Sequence, residues 1–286
     1  MNVLEIISEL AGSITLTDII ICLAGILLFC SWLVKTSLGR NALTDSVPRR
    51  NTMRLYLPFI PLFIYFGTVP IALLITKSLL PDLPDWQNAF LDNLTLCIGA
   101  TAAMAVIIFL VRAHFARRLK GFGLNAKTIH KDFGAAVVNL LSVWPLLTLM
   151  IILTTFFGKL FWGQEFEMQQ HQELELITAH SQLPVRVLII ITVVAVAPAF
   201  EEMLFRGLFQ TMIRSFLAGP WLSIVISSGL FAMVHYEPAH WPALFALAMC
   251  LGYAYEKSGS LLRPIFIHSL FNAITIIAVL INEHGG

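Results

Sequence analysis

The chain has 286 residues, of which 58% are hydrophobic and 12% charged. An ordinary soluble domain is about half apolar and about a quarter charged. That contrast excludes a soluble globular domain and a disordered chain. The net charge of +1 offers nothing to attract nucleic acid, so the placement of charges matters more than their sum.

The expected fold class is all-α, a polytopic membrane bundle of about eight helices. The first eighteen residues carry Glu5, Glu9 and Asp18 but no Lys or Arg. A signal peptide opens with positive charge, so the first apolar run reads as a retained helix. About 20 apolar residues cross the hydrocarbon core. Spans are expected near 19–34, 55–76, 94–111, 133–157, 184–204, 220–235, 242–256 and 264–282. Cys22, Cys30, Cys97 and Cys250 fall in apolar stretches without a C-x-x-C pair and read as small packing residues.

Lys and Arg in short loops set orientation. Lys35, Arg40, Arg49, Arg50 and Arg54 crowd the first loop, and Arg112, Arg117, Arg118, Lys120, Lys127 and Lys131 the third. Both are expected to be cytoplasmic. The second loop carries Asp82, Asp85 and Asp92 with only Lys77, and the fourth Glu165, Glu167, Glu173 and Glu175 with Lys159. Both are expected outside, as are both termini. The basic loops serve topology first. A sharper role would be binding of anionic lipid or an acidic substrate tail.

Ionisable groups inside a spanning helix are costly and mark function. They are nearly absent from the first four spans and cluster in the last four. Glu201 and Glu202 close an apolar run that contains Pro198, which removes a backbone donor. Glu202 and Arg206 are spaced i,i+4 with the acid first, the favourable order for an ion pair. Glu201 points about 100° away and is free to act as a base. Both acids could instead simply pair with Arg206 and Arg214. His235 ends the sixth span, which is short for a full crossing, so it is expected to face a cavity. His268 and Asn272 share one helix face. Together they suit oxyanion stabilisation, or alternatively hydrogen-bonded contact between helices. His235, Glu237 and His240 lie close together, but the flanking prolines imply a turn. His171 and His180 read as solvated.

The patterns Glu201-Glu202-x-x-x-Arg206, Phe231-x-x-x-His235 and His268-x-x-x-Asn272 resemble the motifs of the CaaX protease and bacteriocin-processing family. These are intramembrane proteases that include the type II CaaX prenyl endopeptidase, the Ras-converting enzyme. The stretch from Gly252 to Asn272, with Ser258-Gly259-Ser260-Leu261, is also similar. The resemblance covers about residues 184–280, a third of the chain. It implies a catalytic core over 184–282, preceded by about four helices over 1–183.

The resemblance also implies roles. Glu201 would activate water with help from His235, Glu202 and Arg206 would brace the site, and His268 and Asn272 would hold the oxyanion. It leaves the cofactor open between a divalent metal such as zinc, with Glu201, His235 and His268 as candidate ligands, and no metal. No H-E-x-x-H is present, and the candidate ligands come from three helices. The expected partners are membrane lipid and a peptide or protein substrate, with its lipidation open. The expected location is the inner membrane of a prokaryotic cell. Two other readings of the same residues are a proton-coupled transporter and a catalytically silent immunity protein.

Overall fold

The computed structural model describes residues 3–12, 15–163, 165–168, 172–217 and 219–285, so His171 lies outside the described residues. All regular structure described is helical. Short α1 (Val3–Gly12) precedes α2 (Leu16–Lys35), α3 (Phe59–Leu79) and α4 (Asp85–His114). A single turn, α5 (Arg118–Phe122), leads into α6 (Ile129–Trp162) and α7 (Gln172–Ala179). Then come α8 (Leu183–Phe216), α9 (Pro220–Met233), α10 (Trp241–Ser258) and α11 (Leu262–Gly285).

Among the described residues, six helices are long and apolar enough to cross a membrane: α2, α3, α4, α6, α8 and α11. The expected sixth span is the 14-residue α9, about 21 Å long. It stops at Met233, two residues short of His235. The expected seventh span is α10, whose last turns hold Glu256 and Lys257. The count of about eight therefore resolves into six full-length helices and two lesser ones. The protein is an integral membrane protein. Its apolar surface faces outward: Leu27 is 72% exposed, Leu74 70% and Phe109 71%. Water would penalise such a surface, and lipid does not.

Local chemistry sets the helix ends. Thr15 caps α2 reciprocally with Asp18 (3.2 and 3.0 Å). Pro184, Pro220 and Pro242 open α8, α9 and α10, where a missing N–H costs nothing. α8 runs well beyond its expected end near 204, because the polar residues after Glu202 turn into the protein and are buried there. α4 packs Ala103 and Ile107 against Leu204, Phe205 and Leu208 of α8. α6 packs Leu140 and Leu147 against Leu247 and Leu251 of α10 and Ile267 of α11. The first four long helices thus share their cores with the last four.

The basic loops meet on one face. The segment before α3 pairs with the segment after α4 through an antiparallel bridge between Asn51 and Phe115. Thr52 N–H donates to His114 O (2.9 Å), and Ala116 N–H to Arg50 O (3.2 Å). Gly123, at φ +99°, brings the turn after α5 against the turn before α11, where Leu261 N–H donates to its carbonyl (2.9 Å). A β-carbon there would lie 2.7 Å from Leu261 N. Nearby, Asp132 of α6 is buried and ties down the start of α11. It accepts from Ser260 Oγ (2.6 Å) and from both Nε and NH2 of Arg263 (3.2 and 3.1 Å).

Candidate active site

Glu201 and Glu202 sit between two stretches of wide helical turn in α8, Thr192–Val196 and Met203–Gln210. Such turns bond residue i to i+5, are rare, and gather at functional sites. The first has a traceable cause. Ala197 N–H bonds to Thr192 O, five residues back, and Pro198 has no N–H to offer. Both donors that could serve Val193 O from within the helix are therefore committed or missing. Asn272 of α11 supplies one instead, with its Nδ2 donating to Val193 O at 2.8 Å. The second wide turn has its own outside donor, since Ser227 Oγ of α9 donates to Phe205 O (2.9 Å).

Glu202 and Arg206 are fully buried, with Arg206 Nε 3.1 Å from Glu202 Oε2. Removing two charges from water is expensive unless further contacts compensate. Arg206 NH2 donates to Ala248 O (3.2 Å), and its guanidinium lies 4.5 Å from the centre of the Phe231 ring. The other Glu202 oxygen, Oε1, accepts from His268 Nδ1 (3.0 Å). This orients the imidazole so that its Nε2 lies 3.9 Å from Glu201 Oε2. Glu201 is 24% exposed at its side chain, yet its Oε2 is buried without a hydrogen-bond partner.

His235 lies in the turn after α9. Its Nδ1 is 2.7 Å from Phe231 O. A carbonyl only accepts, so Nδ1 carries the proton, and in the neutral ring Nε2 keeps its lone pair. Trp241 Nε1 donates to the His235 carbonyl (3.0 Å), fixing the turn from the other side. The Phe231 ring is centred 4.8 Å from the His235 ring and 5.7 Å from that of His268. The early end of α9 therefore leaves the two imidazoles on the same aromatic ring, although they lie far apart along their own helices.

Among the described residues, no three or more His, Cys, Asp and Glu side chains converge closely enough to hold a metal ion. Glu201 approaches His268, but the other nitrogen of that ring belongs to Glu202, and His235 is turned to Phe231 O. The candidate ligands do not fit a three-ligand zinc site. The segment Glu237–His240 forms a single tight turn.

A polar ladder continues below the acids. Arg206 reaches Ala248 O, Gln210 Nε2 reaches Gly252 O (3.1 Å) and Arg214 Nε reaches Glu256 Oε1 (3.3 Å). Gln210 is an ordinary polar residue in the sequence, although the i,i+4 series 202, 206, 210 and 214 carries the signal. Asp132 and Ser227 likewise carry no mark in the sequence that sets them apart from other polar residues.

Fold and site together define an all-helical membrane protein with a carboxylate–imidazole cluster inside its bundle. Residues 183–274, about a third of the chain, match the family model described as Type II CAAX prenyl endopeptidase Rce1-like, which points to a protease. The chain is also 28% identical over 110 residues to an Escherichia coli protein described as an uncharacterized 24.3 kDa protein. The alignment covers 37% of this chain and 51% of that relative, so the chain spans about half the length of the curated relative it matches. No solved structure matches the chain.

Proposed function

We propose that this protein is an intramembrane endopeptidase similar to the CaaX prenyl endopeptidases, hydrolysing a peptide bond of a membrane-bound substrate. The observation that carries this reading is the approach of Glu201 Oε2, a buried oxygen without a hydrogen-bond partner, to His268 Nε2. At 3.9 Å the two atoms are too far apart for a direct hydrogen bond, and a water admitted with the substrate could touch both groups.

In this mechanism Glu201 takes a proton from the water as its oxygen attacks the scissile carbonyl. Glu201 returns that proton to the leaving nitrogen as the C–N bond breaks. His235 Nε2, with its lone pair free, orients the water. His268, through Nε2–H, and the second amide N–H of Asn272 donate to the oxyanion. Glu202 and Arg206 touch no reacting atom and hold His268 in place. The N-terminal helices over 1–183 support the core over 184–282 by sharing its packing.

The test is cleavage of a lipidated, quenched CaaX-type peptide by detergent-purified protein. Glu201→Gln is expected to lower the rate by about 10²–10⁴-fold, the range of a lost general base. Equal cleavage by wild type and variant would overturn the mechanism. Chelator treatment of the wild type is expected to leave the rate unchanged. A loss restored by added zinc would show that the reaction depends on a metal ion and would overturn the mechanism above.

A further inference from the structure

A cavity of about 570 Å³ opens on the basic face, and neither Glu201 nor Glu202 lines it. Three separate stretches of chain line it: residues 45–50, 116–121 and 256–259. They bring in five cations, Arg49, Arg50, Arg117, Lys120 and Lys257, against two acids, Asp45 and Glu256. Glu256 is already neutralised, being buried between Arg49 (3.8 Å) and Arg214 (3.3 Å).

Arg49 forms the floor. Its guanidinium lies 3.5 Å from the centre of the Tyr255 ring and donates to Tyr255 O (3.1 Å). Arg50, Arg117, Lys120 and Lys257 are exposed at the walls and form no ion pair among the described residues. Backbone pairing of Arg50 O with Ala116 N–H fixes two of those walls together (3.2 Å).

Orientation in a membrane requires basic loops. It does not require three of them to converge on one concavity with its walls pinned. We infer that this cavity binds the phosphate of an anionic phospholipid headgroup. It opens just past the end of α4 and at the end of α10. Four unpaired cations match the several acceptor oxygens of a phosphate. The carboxylate of a peptide tail carries the same single charge on two oxygens, but it lacks the ester and glycerol oxygens that a phosphodiester headgroup presents around that charge.

The experiment is native mass spectrometry of the full chain released from neutral detergent. Short-chain phosphatidylglycerol and phosphatidylcholine are supplied in equal amounts. Wild type should retain phosphatidylglycerol preferentially. Each basic residue near a lipid surface is worth about a fivefold factor, so Arg117→Gln with Lys120→Gln should cut that preference roughly 25-fold. Both side chains are exposed, and an unchanged melting temperature would show that the variant is folded. Lys127→Gln with Lys131→Gln removes the same charge from the same face outside the cavity and should leave the preference intact. Inorganic phosphate in millimolar excess separates the sources: retained lipid identifies the headgroup as the ligand, and displaced lipid assigns the cavity to phosphate from solution. The inference is overturned by equal retention of both lipids in wild type, by an equal loss in the control pair, or by displacement with an acidic peptide where phosphate has no effect.

Discussion

At the scale of single residues, the site depends on contacts that pair Glu202 with Arg206 and supply donors to the carbonyls of the wide turns, while Glu201 Oε2 is left buried without a partner. Arg206→Ala would strand Glu202 in the bundle, and breaking a buried pair from one side costs about 3–5 kcal/mol. A thermal melt of the detergent-purified variant should show this as a large drop in melting temperature. Asn272 is a more discriminating case, because its amide serves Val193 O where Pro198 cannot. Asn272→Ala should cost about 1–3 kcal/mol, the usual penalty for a buried group left without its bond. In a Pro198→Ala background, residue 198 regains an N–H five positions beyond Val193, and the stability cost should shrink. A double-mutant cycle on melting temperature measures this coupling, and additive effects would sink the account. Loss of cleavage rate that persists in the coupled background would then belong to the oxyanion, separate from the fold.

At the scale of elements, the two wide turns and the close approach of α5 to α8 position the carboxylates. Gly207 faces Phe122, whose ring is fully buried, and a β-carbon at 207 would fall on that ring. Gly207→Ala should therefore destabilise by about 1–3 kcal/mol through overpacking, and Phe122→Leu in the same chain should recover part of it. Thermal melts of the three variants test this, and a neutral Gly207→Ala would show that α5 yields. Much of this region was legible beforehand. Glu201, Glu202, His235, His268 and Asn272 stand out because ionisable and amide groups are rare in apolar helices. The i,i+4 spacing foretold the Glu202–Arg206 contact. The wide turns were not legible, because one additional residue per turn leaves no mark in composition, and Pro198 hinted only at a kink. Gln210, Ser227 and Asp132 were missed for a related reason. Each is an ordinary residue whose partner is a backbone carbonyl or lies more than a hundred positions away.

At the scale of the whole molecule, the basic segments before α3, after α4 and after α10 gather on one side, as expected of loops facing the cytoplasm. With the native cysteines replaced, a cysteine at Lys120 should resist a membrane-impermeant thiol reagent in intact cells, and one at Asp82 should react. The reverse pattern would invert the orientation. Residues 183–274 carry the family likeness, yet their cores are completed by α4 and α6. A fragment restricted to the matching segment should accordingly fail to yield a stable, monodisperse protein in detergent.

The contacts from Arg206, Gln210 and Arg214 to α10 share a single sequence separation of 42 residues. Such a fixed interval works as a molecular ruler. One residue gained or lost between Arg214 and Ala248 changes the interval for all three contacts together, and the intervening turn would have to absorb the change without moving either helix. Length variation in natural versions of this chain should therefore collect elsewhere, in the acidic segment before α8 and near the termini, while the stretch from Arg206 to Glu256 keeps its residue count.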